Sequence, residues 1–231
     1  MCEWIFRPLA HPLVLGLARL RMPPSLVVVS AGAAGIAAAV ELGRGSLLVA
    51  AVLVQLKTLL DNADGQLARL TNRTSAFGRY LDSEVDLLVN AALFAALAWT
   101  TGQAALALAG FLALTSVLSL NFNAERLSRR GTAEPETEGR ATAFLRRIYS
   151  LVYSPQDRLA ESLAARRPVL AGSTAVSLLA NLGMSTQLAV FGVLIAVGHP
   201  AAFAWIALAE VCAIALALVP RRAPRRQEEV A

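Results

Sequence analysis

The chain has 231 residues, of which 56% are hydrophobic and 16% charged, with a net charge of +5 and a mean hydropathy of +0.57. That is long enough for one sizeable domain and too apolar for an ordinary water-soluble one, so the expected class is an all-α, polytopic membrane protein. Two cysteines without histidine or cysteine companions at ligand spacing, Cys2 and Cys212, exclude a disulfide framework and a zinc site. The basic excess does not point to nucleic acid. Lys57 and the arginines fall largely in connections between apolar spans, where anionic lipid and the positive-inside rule account for them.

Residues 1–24 mix Trp4, Phe6 and leucines with Arg7, Arg19 and Arg21, and lack the continuous apolar run and cleavage site of a removable signal peptide. Leu13, Leu17 and Leu20 form a helical stripe, read either as an interfacial helix ahead of Pro23 and Pro24 or as a positively charged topogenic flank. A first span is expected over 25–42, a Gly-Arg-Gly turn at 43–45, and a second span over 46–60 that delivers Asp61. Lys57 lies one turn before Asp61, placed either to pair with it and hold it ionised or to snorkel to the interface.

Apolar character resumes over 87–100, so a third span is expected that includes Asp82 and Asp86 in its first turns, and a Thr-Thr-Gly-Gln turn leads to the fourth, 104–120. Residues 123–168 form a polar cytoplasmic interval: a flexible loop at 131–140, then two surface helices. The first has an apolar face of Phe144, Leu145, Ile148, Leu151 and Val152; the second starts at Ser154 and Pro155. A kinked fifth span over 169–197, interrupted at 181–187, a turn at 198–200, a sixth span over 201–219 and a polar tail at 220–231 complete one membrane-embedded domain. Glu210, midway along the sixth span, reads as a hydrogen-bonded packing residue. No internal repeat is visible. Six spans place all but Arg44 of the 21 Lys and Arg residues on one side, with both termini and the acids, and that side is the cytoplasm.

The stretch 61–86 carries the chemistry. Asp61 and Asp64 are three apart and Asp82 and Asp86 four apart, so on helices each pair projects from one face, while Glu84 points away. An intramembrane charge costs about 2.5–3.5 kcal/mol on insertion scales, so four neighbouring acids call for a cation. Oxygen ligands favour Mg²⁺ or Mn²⁺, with coordination positions left for substrate phosphates. Gly65, Ala68 and Arg69 offer a bare helix surface with a guanidinium beside it, suited to a nucleotide diphosphate, although small residues also serve close helix packing.

Asp61, Asp64, Gly65, Ala68, Arg69, Gly78, Asp82 and Asp86 match in identity and spacing a signature of eight fixed positions, and the chain resembles the CDP-alcohol phosphotransferase family. The resemblance implies six spans with the signature joining the second and third, and a homodimer. It also implies that Asp61, Asp64 and Asp82 hold one or two metal ions, that Asp86 contacts metal and acts as general base, and that Gly65 and Arg69 bind the cytidine nucleotide, with Ser75 a further candidate. The implied reaction transfers a phosphatidyl group from a CDP-linked lipid such as CDP-diacylglycerol to a polar alcohol, releasing CMP. Members using a phosphorylated acceptor are expected to carry basic residues at the cytoplasmic end of the fourth span. This chain has Asn121 and Asn123 there, with Arg126 further on, and these three are the acceptor-side candidates. A membrane prenyltransferase would need a second aspartate cluster, absent from 121–231, and a divalent-cation transporter would need acids at the midplane, where only Glu210 lies.

Overall fold

The computed structural model describes residues 2–128, 139–150 and 183–217, and these are all-helical, with no strand among them. The helices are α1 (Cys2–Arg19), α2 (Pro24–Gly43), α3 (Leu47–Leu70), α4 (Ala76–Thr101), α5 (Ala104–Ser128), α6 (140–150), α7 (Met184–Ala196) and α8 (Ala202–Ala217). Most of the expected 131–140 loop, the second surface helix, the first half of the fifth span and the polar tail lie outside the described residues. By length and composition, α2 is apolar enough to cross a membrane, and Ala104–Leu120, Met184–Ala196 and Ala202–Leu216 are shorter apolar helices.

The punctuation follows backbone chemistry. Pro24 opens α2 at a position where a missing N–H costs nothing. Gly45 and Gly102 take left-handed φ values of 80° and 68° in the turns after α2 and α4, which a side chain would disfavour. α3 continues past the apolar span that ends at Leu60 to Leu70, carrying the helix surface expected at Gly65–Arg69; Leu67 is fully buried and the segment from Gln66 to Leu70 has nothing in it that breaks a helix. α7 begins at Met184, after Gly183, inside the interruption expected at 181–187.

α2 packs on both α3 and α4, and its small residues set the distance. A methyl group placed on Gly35 would lie 2.5 and 2.7 Å from the two γ-methyls of Val89, and one on Gly32 2.6 Å from Val85 Cγ1. Because both Val89 methyls are in the way, no rotamer escapes, so Gly35→Ala is expected to cost about 1–3 kcal/mol in overpacking. Thermal unfolding should show the loss, and Val89→Ala in the same chain should recover part of it; an unchanged midpoint for the single variant would disprove the close approach.

On the other side of the bundle, Phe94, Phe111, Phe191 and Phe203 join α4, α5, α7 and α8, with Phe191 and Phe203 stacked at 4.4 Å. α1 packs along α3: Ala10 and Val14 meet Ala63 and Leu67, and Gln66 Nε2 donates to the Arg7 carbonyl at 3.2 Å. Leu13 and Leu17 of the predicted stripe join this cluster, whereas Leu20 is exposed. α6 meets α4 through an edge-on contact of Tyr149 with Tyr80, centroids 5.6 Å apart. Its inner face uses Thr142, Leu145 and Ile148, and Phe144 points outward.

Candidate active site

The last turns of α3 and the first turns of α4 bring the acids together. Ser75 caps α4, its Oγ accepting from the Gly78 N–H at 3.1 Å, which fixes where α4 begins and hence the height of Asp82. One carboxylate oxygen from each of Asp61, Asp64 and Asp82 then lies within 4.8 Å of the other two. Asp64 is 7% exposed, and its Oδ2 has no hydrogen-bond partner among the described residues. Burial first, then the negative charges of Asp61 and Asp86, hold the Asp64 carboxyl well above the usual carboxylate range, beyond the apolar part of α3 that ends at Leu60. A buried carboxylate oxygen without a donor, beside two more hard oxygen ligands, fits a divalent cation.

Asp86 is not one of this trio. Lys57, only 1% exposed, donates through Nζ to Asp61 Oδ1 at 2.9 Å and to Asp86 Oδ1, tying α3 to α4. Of the two readings of Lys57, the structure selects the pairing one, because its ammonium is buried among the acids. The second partner, Asp86, was not evident from sequence spacing, since the bond crosses between helices.

A cavity of about 490 Å³ opens beside the trio, between the start of α2 and the α3–α4 junction. Asp64 and Asp82 line it together with Gly65, Ala68, Arg69 and Ser75, and Arg73 and Arg79 add positive charge. The Arg69 guanidinium folds back over Gly65, 3.5 Å from where a methyl group there would sit. The bare helix surface expected at Gly65 is therefore the floor of a basic cavity, and Ser75 lines that cavity while also serving as the cap. The sequence reading singled out neither Arg73 nor Arg79, although Arg79 stands three residues before Asp82 on α4.

Around the centre, Asn62 Nδ2 donates to Ser185 Oγ at 2.9 Å, anchoring α3 to the start of α7. Glu210 is not part of the acidic trio and accepts from Gln187 Nε2 at 2.7 Å, a hydrogen-bonded position within the α7–α8 pair. Glu84 is buried, with Oε1 unpartnered among the described residues, and no physical role for it follows. The side chains of Asn121, Asn123 and Arg126 lie outside the described residues, although α5 carries their backbone.

The family model for CDP-alcohol phosphatidyltransferase matches residues 9–217. Archaetidylinositol phosphate synthase of Methanothermobacter thermautotrophicus is 30% identical over 127 residues, 54% of this chain and 64% of that protein. Phosphatidylinositol phosphate synthase of Corynebacterium glutamicum is 34% identical over 92 residues, 39% of this chain and 42% of its own length. The bifunctional IPC transferase and DIPP synthase of Thermococcus kodakarensis is 38% identical over 82 residues, 35% of this chain and 19% of that protein. The chain thus spans less than two thirds of each of these relatives. Among solved structures, Mycobacterium tuberculosis phosphatidylinositol phosphate synthase with CDP-DAG bound aligns with 93% of this chain and 98% of that one, at 20% identity and a TM-score of 0.44.

Proposed function

The chain belongs to the CDP-alcohol phosphatidyltransferase family, and we propose that it transfers a phosphatidyl group from a CDP-linked lipid, such as CDP-diacylglycerol, to the hydroxyl of a polar alcohol, releasing CMP. The observation that carries this reading is the joining of the Asp61–Asp64–Asp82 trio to a cavity lined by Arg69, Arg73 and Arg79, a cation site beside an anion site. Asp61, Asp64 and Asp82 would hold Mg²⁺ or Mn²⁺, which when bound neutralises the donor diphosphate. Arg69 and the floor at Gly65 receive the cytidine nucleotide, with Ser75 at the cavity edge. Asp86, held by Lys57, takes the proton of the acceptor hydroxyl. The acceptor oxygen then bonds to the lipid-side phosphorus as the bond from that phosphorus to the CMP oxygen breaks.

The chain is read as an integral membrane domain of six spans, with α1 against the membrane surface and the site and both termini on the cytoplasmic face; it works as a homodimer. Exposed apolar side chains such as Leu48, Leu88, Trp99 and Trp205 support a lipid-facing surface. Asn121, Asn123 and Arg126 stand on the acceptor side.

Purified protein given CDP-diacylglycerol with Mg²⁺ or Mn²⁺, and a panel of polar alcohols that includes inositol and inositol phosphate, is expected to release CMP with at least one acceptor. Mass spectrometry of the lipid product names that acceptor. Cation transport or prenyl transfer without CMP release would overturn the reading.

A further inference from the structure

The same acidic centre holds an internal cation. The Lys57 ammonium sits between α3 and α4, bonded to Asp61 Oδ1 and to Asp86 Oδ1, and its side chain is 1% exposed. It cannot swing out to solvent without parting the two helices. Resting on the transferase reading, we infer that the centre takes one divalent ion, at Asp61, Asp64 and Asp82, and that Lys57 fills the place between Asp61 and Asp86 that a second ion would need.

Three observations converge on this. The open coordination faces the trio, where Asp64 Oδ2 has no partner among the described residues. Asp86 Oδ1 is already engaged by Lys57, which also holds Asp61 Oδ1, so the ammonium stands where an ion bridging those two oxygens would sit. Charge agrees: four carboxylates against one ammonium leave three negative charges, and one divalent ion brings this to one. A second would leave the centre positive and set two divalent ions beside a buried ammonium, a repulsion that the low effective dielectric enlarges. Asp86 is thereby freed from coordination and aimed by Lys57, which acts as a positioning residue. This narrows the sequence expectation, in which Asp86 also touched metal.

The test counts Mn²⁺ on the full chain in detergent micelles after chelator treatment, by the electron paramagnetic resonance signal of free Mn²⁺, with and without CDP. One ion per chain is expected in both cases, with the low-temperature spectrum of an isolated ion. Lys57→Met should bind two, with an exchange-coupled spectrum, and Lys57→Arg should return to one. Two ions on the unsubstituted chain, or still one on a folded Lys57→Met, would overturn the inference. If Lys57→Met does not fold, the counts for the unsubstituted chain and for Lys57→Arg decide. Two ions with CMP release defeat the one-ion inference alone, one ion without CMP release defeats the transferase reading alone, and no bound ion defeats the metal site on which both stand.

Discussion

Replacing Asp86 by asparagine is expected to lower the rate of CMP release by about 10²–10⁴-fold, the range associated with loss of a positioned general base. The substitution conserves volume and leaves Lys57 its bond to Asp61. It removes the one carboxylate of the four that is outside the trio of possible ligands and within reach of the neighbouring helix's ammonium. The informative pattern is therefore a lost rate with Mn²⁺ binding retained, because a ligand substitution would lose both. Initial rates at saturating CDP-diacylglycerol, beside Mn²⁺ titration of the same preparation, separate the two. An undiminished rate would show that Asp86 is not the base, and a lost ion would make it a ligand.

The second large effect concerns Asp64. A buried carboxylate with one oxygen unpartnered among the described residues is a cost that the fold bears for the sake of a cation, so its effect on stability should reverse sign with metal. In chelator, Asp64→Asn should unfold at or above the temperature of the unsubstituted chain. With Mn²⁺ at about 100 times its dissociation constant, the unsubstituted chain gains about 2.7 kcal/mol, or about 5–10 °C for a chain of this size, and the variant should gain almost nothing. CMP release should fall by at least about 10²-fold in parallel. A variant that is less stable in chelator and still responds fully to Mn²⁺ would remove Asp64 from the site.

The parts of this centre that could be read from the sequence were those set by local spacing. Asp61 and Asp64, one helical turn apart, and the Gly65–Arg69 run kept their predicted relation because a single helix carries them all. The glycine-bearing turns also stood where expected, since Gly45 and Gly102 take a conformation that few other residues tolerate. What spacing did not reveal was set by packing between helices. The second bond of Lys57 depends on how α3 lies against α4, and that in turn depends on the close seat of Val85 and Val89 over Gly32 and Gly35. Arg79 stands three residues before Asp82 on α4, a spacing that could have marked it, whereas only the cavity shows that Arg73 and Arg79 share a wall with Arg69.

The bond between Lys57 and Asp86 closes a loop of 29 residues, whereas the bonds that hold α3 to α7 join Asn62 to Ser185 across 123 residues and Gln55 to Ala189 across 134. Loop-closure entropy rises by about 0.6 kcal/mol per doubling, so the reaction centre is about 1 kcal/mol cheaper to close than the links that brace it. The α3–α4 hairpin is also the earlier of the two to be synthesised. The expected order of assembly therefore runs from chemistry to scaffold: charges meet first between near neighbours in the chain, and the C-terminal helices arrive afterwards to clamp a centre already paired.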